Sequence, residues 1–151
     1  MAAYSFVTNW FIPAPLDRVW EALDSPESYH EWWPMFAEYK RLTPESTGVG
    51  ARAERVVVGV LPYRLRYTTT TTRYDPPREV AYDSTGDLEG GGSFRLEPVE
   101  GGTAVTFHWD VSTNKRLMNL LTPLFRRAFE WHHNWVMKQG ERGLTKRLSG
   151  A

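Results

Sequence analysis

The first part of the chain shows a strand pattern followed by two short helical patterns. Residues 4–12 are mostly β-branched and aromatic, which predicts a β-strand. Pro13 ends this strand because proline donates no ladder hydrogen bond. Residues 16–24 then carry apolar side chains at helical spacing, at Leu16, Val19, Trp20 and Leu23. Pro26 suits the first turn of a second helix, so we expect two short helices, over 16–24 and 26–32.

The middle of the chain, from residue 36 to residue 112, has the pattern of strands and turns. Glycine and proline clusters separate apolar runs at short intervals, and no helical pattern intervenes. Such spacing is typical of consecutive strands that pair antiparallel. The glycines within 86–92 are expected to form a turn and bulges. Six strands are predicted, near 36–43, 52–60, 63–74, 79–85, 90–98 and 103–112.

The last part of the chain predicts one long helix. Thr122 suits its N-cap and Pro123 its first helical position, and the pattern continues to about Leu148. Seven antiparallel strands cannot leave an apolar face uncovered, and this helix is the only predicted element large enough to cover it. We therefore expect a single α+β domain over 1–151, in which a strongly curved seven-stranded sheet wraps around the helix and encloses a cavity.

Alternation within the strands predicts which side chains face the helix. The last strand carries one apolar set on a single face, namely Val105, Phe107, Trp109 and Val111. The same alternation places inward positions on the other strands at Tyr63, Leu65, Tyr67, Val80, Tyr82, Ser84, Phe94 and Leu96. In the first strand, the set Tyr4, Phe6, Trp10 and Ile12 outweighs Val7 and Phe11.

The long helix has a predicted contact face of its own. At 100° per residue, its apolar stripe comprises Leu117, Leu121, Leu124, Phe125, Ala128, Trp135 and Val136, where the residues before Pro123 count only if the helix extends back. His132 falls near the middle of this stripe, whereas His133 falls on the opposite, charged face. A histidine in an apolar stripe is either satisfied within the core or aimed into a pocket. Gly140 and Gly143 are expected to permit close packing of the helix on the sheet.

Composition and charge narrow the classes of partner. The chain has 151 residues and no cysteine, so disulfides and thiolate metal sites are excluded. Its formal net charge is zero, so it has no long-range electrostatic attraction for nucleic acid. There is no signal-peptide pattern and no apolar run long enough to span a membrane, so a cytoplasmic location without integral membrane association is expected. Oligomeric state is left open. Aromatic residues make up 14% of the chain, and such rings fill cores and line small-molecule pockets.

Two sets of polar residues suggest chemistry. His132 and His133 are adjacent on a helix and point about 100° apart, so they cannot chelate one ion together, and neither a metal nor a cofactor is expected. Tyr63 and Tyr67 share the inward face of one strand and could donate hydrogen bonds to an enolate or phenolic ligand. Equally, tyrosine is a good strand former with a polar tip, so a purely structural role stays open.

The order of elements and a series of short motifs together resemble a known superfamily. The motifs are Ile12-Pro13-Ala14-Pro15, Val19-Trp20, Tyr29, Trp32-Trp33-Pro34, Gly48-Val49-Gly50, Gly59 with Leu61-Pro62-Tyr63, Pro76-Pro77-Arg78, Gly86-Asp87-Leu88, Phe94, Gly102-Thr103, Trp109, Phe129, Met137, Gly140 and Gly143. Over essentially the whole chain they resemble the SRPBCC or START-like superfamily, and most nearly its bacterial polyketide cyclase/dehydrase and lipid-transport group. The resemblance implies a helix-grip fold with an internal cavity. It does not settle function, because the superfamily carries many activities.

Three functional hypotheses follow from the fold and the aromatic lining. The first is binding or transport of a small hydrophobic or aromatic molecule, lipid-like or polyketide-like. The second is a cyclase, aromatase or dehydratase in which His132, Tyr63 and Tyr67 are the catalytic candidates, so whether the protein is an enzyme stays open. The third is a protein-interaction domain with an unused cavity. The predicted ligand-contacting residues are Trp10, Trp33, Tyr63, Tyr67, Tyr82, Phe94, Phe107, Trp109, Phe125, His132 and Trp135.

Overall fold

The computed structural model describes residues 2–59, 64–113 and 122–149, and its elements follow the predicted order. The strands are β1 (Ala2–Ile12), β2 (Phe36–Arg41), β3 (Arg52–Val57), β4 (Leu65–Asp75), β5 (Glu79–Gly86), β6 (Leu88–Val99) and β7 (Gly102–Thr113). The helices are α1 (Leu16–Leu23), a 3₁₀ helix (Pro26–Glu31) and the long α2 (Thr122–Ser149). This confirms the α+β helix-grip architecture.

The sheet forms one continuous antiparallel layer. Its strand order is β1-β7-β6-β5-β4-β3-β2, so the first strand of the chain pairs with the last. In that pairing Phe6 lies opposite Trp109 and Trp10 lies opposite Val105. All other neighbours are consecutive in sequence, which agrees with the predicted meander.

The glycines within 86–92 were expected to form a turn and bulges. The turn is present, since Gly86, with a φ of 107°, ends β5 where the chain turns into β6, but the bulge part was wrong. Gly90, Gly91 and Gly92 pair in regular register with both β5 and β7. A side chain would not fit at these positions, because a Cβ added at Gly92 would lie 2.8 Å from the Tyr82 hydroxyl oxygen. These glycines thus let neighbouring groups approach the strand closely while its pairing continues.

The strand faces follow the predicted alternation. Val105, Phe107 and Val111 are buried, and so are the predicted inward residues of β1. On the other face of β1, Val7 and Phe11 are 61% and 47% exposed. The apolar side of the sheet therefore faces α2.

The contact face of α2 is rotated from the predicted one. Its buried residues are Phe129, His132, Val136, Met137, Gly140 and Leu144. Leu124, predicted to be in the stripe, is 71% exposed, and His133, predicted to lie opposite, faces the interior. Leu117 and Leu121 lie outside the described residues, as does the side chain of Phe125. The pattern failed because two glycines on the contact face carry no apolar side chain and so add nothing to a hydrophobic stripe.

Those two glycines bring α2 against a group of tryptophans. A Cβ at Gly140 would lie 2.5 Å from Trp33 and 2.7 Å from Trp10, and one at Gly143 would overlap the backbone carbonyl oxygen of Trp32. Trp33 also donates a hydrogen bond from Nε1 to the carbonyl oxygen of Val136 at 2.9 Å. We call Trp10, Trp32, Trp33, Gly140 and Gly143 the tryptophan seam. The helix packs here on β1 and on the segment after the 3₁₀ helix.

Candidate ligand-binding cavity

A cavity of about 140 Å³ lies between the concave face of the sheet and α2. Strands β3 to β7, the 3₁₀ helix, α2 and the loop residues Ser46, Thr47 and Gly48 all contribute to its lining. An apolar cavity of roughly 150 Å³ is known to hold one benzene molecule. A single aromatic ring therefore fits here without expansion of the fold.

We call Tyr29, Tyr67 and Tyr82, three of the tyrosines that line the cavity, the tyrosine wall. Burial raises the pKa of all three phenols, that of Tyr67 to about 12, so each hydroxyl keeps its proton at neutral pH. The Tyr29 hydroxyl donates to the carbonyl oxygen of Leu23, and a hydrogen bond joins Tyr82 to Trp109. The Tyr67 hydroxyl makes no hydrogen bond to any residue in the described ranges. Tyr67 can therefore donate to a ligand.

One cation faces the cavity among these rings. Arg55 lies on β3, directly opposite Tyr67 of β4 in the sheet. Its guanidinium lies 5.9 Å from the ring centre of Tyr29 and 5.5 Å from that of Tyr39, and its Nε donates to Thr69 Oγ1 at 3.2 Å. Arg55 was not among the residues predicted from the sequence to contact a ligand. The alternation of β3, which places Ala53 inward, would have found it, since positions 53, 55 and 57 share a face.

Both histidines of α2 line the cavity. His132 is 4% exposed and stacks on Trp135, with ring centres 6.2 Å apart. A Cβ added at Gly59 would overlap its Nε2, so the chain after β3 covers this ring. His133 stacks on Phe6 at 3.8 Å. Burial lowers the pKa of both imidazoles, that of His133 to about 4, so both are neutral at pH 7.

A carboxyl group occupies another part of the lining. Asp24, which follows α1, accepts a hydrogen bond of 2.6 Å from the Tyr74 hydroxyl. Burial raises the pKa of Asp24 above its usual range, and the hydrogen bond from Tyr74 partly opposes this effect. The cavity thus holds separate acidic and basic groups.

The predicted ligand-contacting residues divide into three groups. Those in the cavity lining are Trp33, Tyr67, Tyr82, Phe94, Phe107, Trp109 and His132. Trp10 and Trp135 lie outside the lining: Trp10 is buried in the tryptophan seam, and Trp135 packs half-buried against the core. Tyr63 and the side chain of Phe125 lie outside the described residues. Of the three catalytic candidates, His132 and Tyr67 are therefore placed in one cavity.

Three further lining residues, Tyr29, His133 and Phe129, were not predicted from the sequence. Tyr29 lies on the 3₁₀ helix, where strand alternation gives no information. The two α2 residues were missed because the predicted contact face was rotated. Within residues 2–59, 64–113 and 122–149, no group of three or more His, Asp or Glu side chains is arranged to hold a metal ion. Across the same ranges, no helix has the length and apolar character needed to cross a membrane.

Comparison with solved structures shows how widely this fold is shared. The protein TTHA0849 from Thermus thermophilus is 18% identical and has a TM-score of 0.76, over 95% of this chain and 99% of that one. The Zhui aromatase/cyclase from Streptomyces sp. R1128 is 18% identical and has a TM-score of 0.77, over 98% of this chain and 94% of that one. An uncharacterized protein from Rhizobium leguminosarum is 17% identical and has a TM-score of 0.70, over 99% and 97%. At these identities the likeness concerns the fold.

The sequence comparison is more specific about ancestry. A search of curated proteins found no match. Residues 5–148 match the family described as polyketide cyclase / dehydrase and lipid transport. This match spans nearly the whole chain and agrees with the helix-grip fold and its internal cavity. The chain therefore belongs to the polyketide cyclase/dehydrase and lipid transport family.

Proposed function

We propose that this protein binds a small hydrophobic or aromatic molecule, lipid-like or polyketide-like, in the cavity between the sheet and α2, and carries it. The observation that carries the proposal is a cavity of about 140 Å³ whose lining is largely aromatic and aliphatic. Burial of apolar ligand surface there contributes about 25 cal/mol per Å². The polar groups are few, as expected where they orient a ligand that apolar contact holds.

The first experiment is native mass spectrometry of the purified protein, followed by extraction and identification of any adduct. A stoichiometric hydrophobic or aromatic molecule would support the proposal. Val57, half-buried in the lining, offers a test of location, because Val57→Trp would fill the cavity. Val7→Trp adds the same side chain at an exposed outward position of β1 and is the matched control.

In that comparison, the adduct should persist in Val7→Trp and disappear in Val57→Trp. Circular dichroism would establish that both variants are folded. Equal retention by both would place the ligand elsewhere and contradict the proposal. A protein that arrives without adduct would be titrated with benzamide, a neutral one-ring probe, and the same pair of variants compared; no binding by the parent protein would overturn the proposal.

A second candidate, the cyclase or dehydratase type of enzyme, is favoured by the histidines. A neutral imidazole can accept a proton, and burial lowers the pKa of both His132 and His133, which keeps them neutral at pH 7. Tyr67 lines the same cavity and could donate a hydrogen bond to an enolate oxygen. The test is deuterium exchange at the methyl group of acetophenone in D₂O, followed by NMR. Exchange above the rate in buffer, lost in both His132→Gln and His133→Gln, would support proton abstraction, and a rate equal to that of buffer would count against it.

A further inference from the structure

Arg55 differs from the ion-paired arginines in its location and in what surrounds it. On the outside of the sheet, Arg64, Arg66 and Arg95 each form an ion pair with a glutamate. Arg55 faces the cavity, and across residues 2–59, 64–113 and 122–149 it forms no ion pair and a single hydrogen bond, to Thr69. A guanidinium has five N–H donors, so most of its hydrogen-bonding capacity is unused by these residues.

The side chain is nevertheless held in place. The rings of Tyr29 and Tyr39 lie near the guanidinium. The hydrogen bond from Arg55 Nε to Thr69 Oγ1 fixes the guanidinium where it joins the aliphatic part of the side chain. Rings at these distances attract the guanidinium through their π faces and leave its N–H groups available for hydrogen bonds. A cation positioned in this way is prepared for a planar acceptor that it can bind with two parallel bonds.

Tyr67 supplies a second donor at the same place. It is the direct cross-strand partner of Arg55, and such partners have Cβ atoms about 5 Å apart on one face of the sheet. Its hydroxyl is protonated, since burial raises the pKa of Tyr67 to about 12, and it makes no hydrogen bond to the described residues. The pair therefore presents N–H and O–H donors together on one face of the sheet.

The carboxylate among the described lining residues does not neutralise this pair. Asp24 accepts a hydrogen bond from Tyr74, and it is not within ion-pair distance of Arg55. A half-buried cation facing apolar rings is costly without an anion nearby. A carboxylate on the ligand would provide the missing negative charge and accept hydrogen bonds from both donors.

From this geometry we infer that the cavity selects a hydrophobic or aromatic carboxylic acid, whose carboxylate binds the Arg55 guanidinium and the Tyr67 hydroxyl. This inference rests on the proposed function, because it specifies the chemical class of the molecule that occupies the same cavity. It adds that a charged group, rather than apolar contact alone, decides which ligands bind.

The test compares benzoate with benzamide, which share ring size and shape and differ in charge. NMR-detected titration measures the weak affinities expected of such small probes. The protein should bind benzoate about 10-fold or more tighter than benzamide, since hydrogen bonds between charged groups are worth at least that much. Arg55→Met should remove this preference by lowering benzoate affinity far more than benzamide affinity. Arg52→Met removes an exposed charge on the same strand and should retain the preference.

Two further variants keep the inference falsifiable if Arg55→Met does not fold. Arg55→Lys keeps the charge but loses the planar fork, and Tyr67→Phe loses one donor, so each should reduce the benzoate preference in part. Equal binding of both probes, or a preference that survives Arg55→Met or both of the milder variants, would overturn the inference and leave the proposed function standing. Failure of the parent protein to bind either probe would overturn the proposed function and this inference together.

Discussion

The tryptophan seam and the tyrosine wall use aromatic rings for opposite purposes. In the seam, Gly140 and Gly143 let α2 approach until the indoles of Trp10 and Trp33 fill the space between helix and sheet. In the wall, Tyr67 and its neighbours line a cavity, and the Tyr67 hydroxyl is a donor that the described residues do not use. The comparison shows that aromatic content alone does not mark a binding site. In the seam, glycines let the helix approach so closely that no space for a ligand remains. In the wall, the tyrosine rings line a space that stays open.

The largest expected effect is at the seam. Gly143→Ala places a methyl group on the backbone carbonyl oxygen of Trp32, which cannot move aside as a flexible side chain can. We expect a loss of about 3 kcal/mol in the free energy of unfolding, even though alanine favours helix by about 1 kcal/mol. Urea denaturation measures it. Arg142→Ala, at the exposed neighbouring position, is the control and should change stability little; an unchanged midpoint for Gly143→Ala would mean that helix and tryptophans are not in close contact.

The second largest effect is a dependence of stability on pH that arises from His133 in the cavity lining. Burial lowers the pKa of His133 from 6.5 to about 4, so as the pH falls the unfolded chain takes up this proton before the folded chain does. Stability should therefore be intact above pH 6.5 and decline between pH 6.5 and about 4, by about 2 kcal/mol for a ring that is only partly buried.

Urea titrations at several pH values in that window measure this decline. His133→Gln should flatten the curve, leaving the smaller part that follows from the lowered pKa of His132. If His133 titrated near 6.5 by NMR in the folded protein, the ring would be solvated and its place in the cavity lining would be wrong.

Two members of the tyrosine wall should respond differently to loss of the hydroxyl. Tyr29→Phe leaves the carbonyl oxygen of Leu23 without its donor and should cost about 1 kcal/mol. Tyr67→Phe removes a hydroxyl that the described residues do not use, so stability should change by less than about 0.5 kcal/mol while benzoate affinity falls several-fold. Thermal melting and titration of both variants make the comparison. If Tyr67→Phe lowered stability and Tyr29→Phe lowered benzoate affinity instead, Tyr67 would have the structural role and Tyr29 the ligand-binding role.

The smallest effect is expected on the outside of the sheet. Arg64 pairs with Glu38 at 2.6 Å, with 58% and 52% of the two side chains exposed. Exposed ion pairs contribute little, so Arg64→Gln should change stability by about 0.5 kcal/mol or less and should leave ligand binding unchanged. A large loss of benzoate affinity in this variant would show that long-range charge, rather than Arg55, controls binding.

Some elements of the fold could be predicted from the sequence and others could not. The face of β7 was predictable because its inward positions alternate, so Val105 and Phe107 could be placed from their own strand. The face of α2 was not, because Gly140 and Gly143 make its closest contacts without apolar side chains. Helical periodicity identifies a face by its apolar residues, whereas the contact of α2 with the tryptophans depends on residues that are small.

The candidate site was predicted in part for a related reason. Aromatic residues such as Tyr82 and Trp109 were found because inward aromatics line cavities and cores alike. Arg55 was missed because a charged residue in a strand is ordinarily taken as outward, although it shares a face of β3 with Ala53 and lies opposite Tyr67 in the sheet. Tyr63 and the side chain of Phe125 lie outside the described residues, so their predicted roles stay predictions.

The most direct test of the account is a crystal structure of the protein with benzoate. The account predicts the ring in the cavity beside Trp109 and Phe107, with the carboxylate on Arg55 and Tyr67. Benzoate bound only on the outer surface, or seated in the cavity with its carboxylate directed away from Arg55, would contradict it.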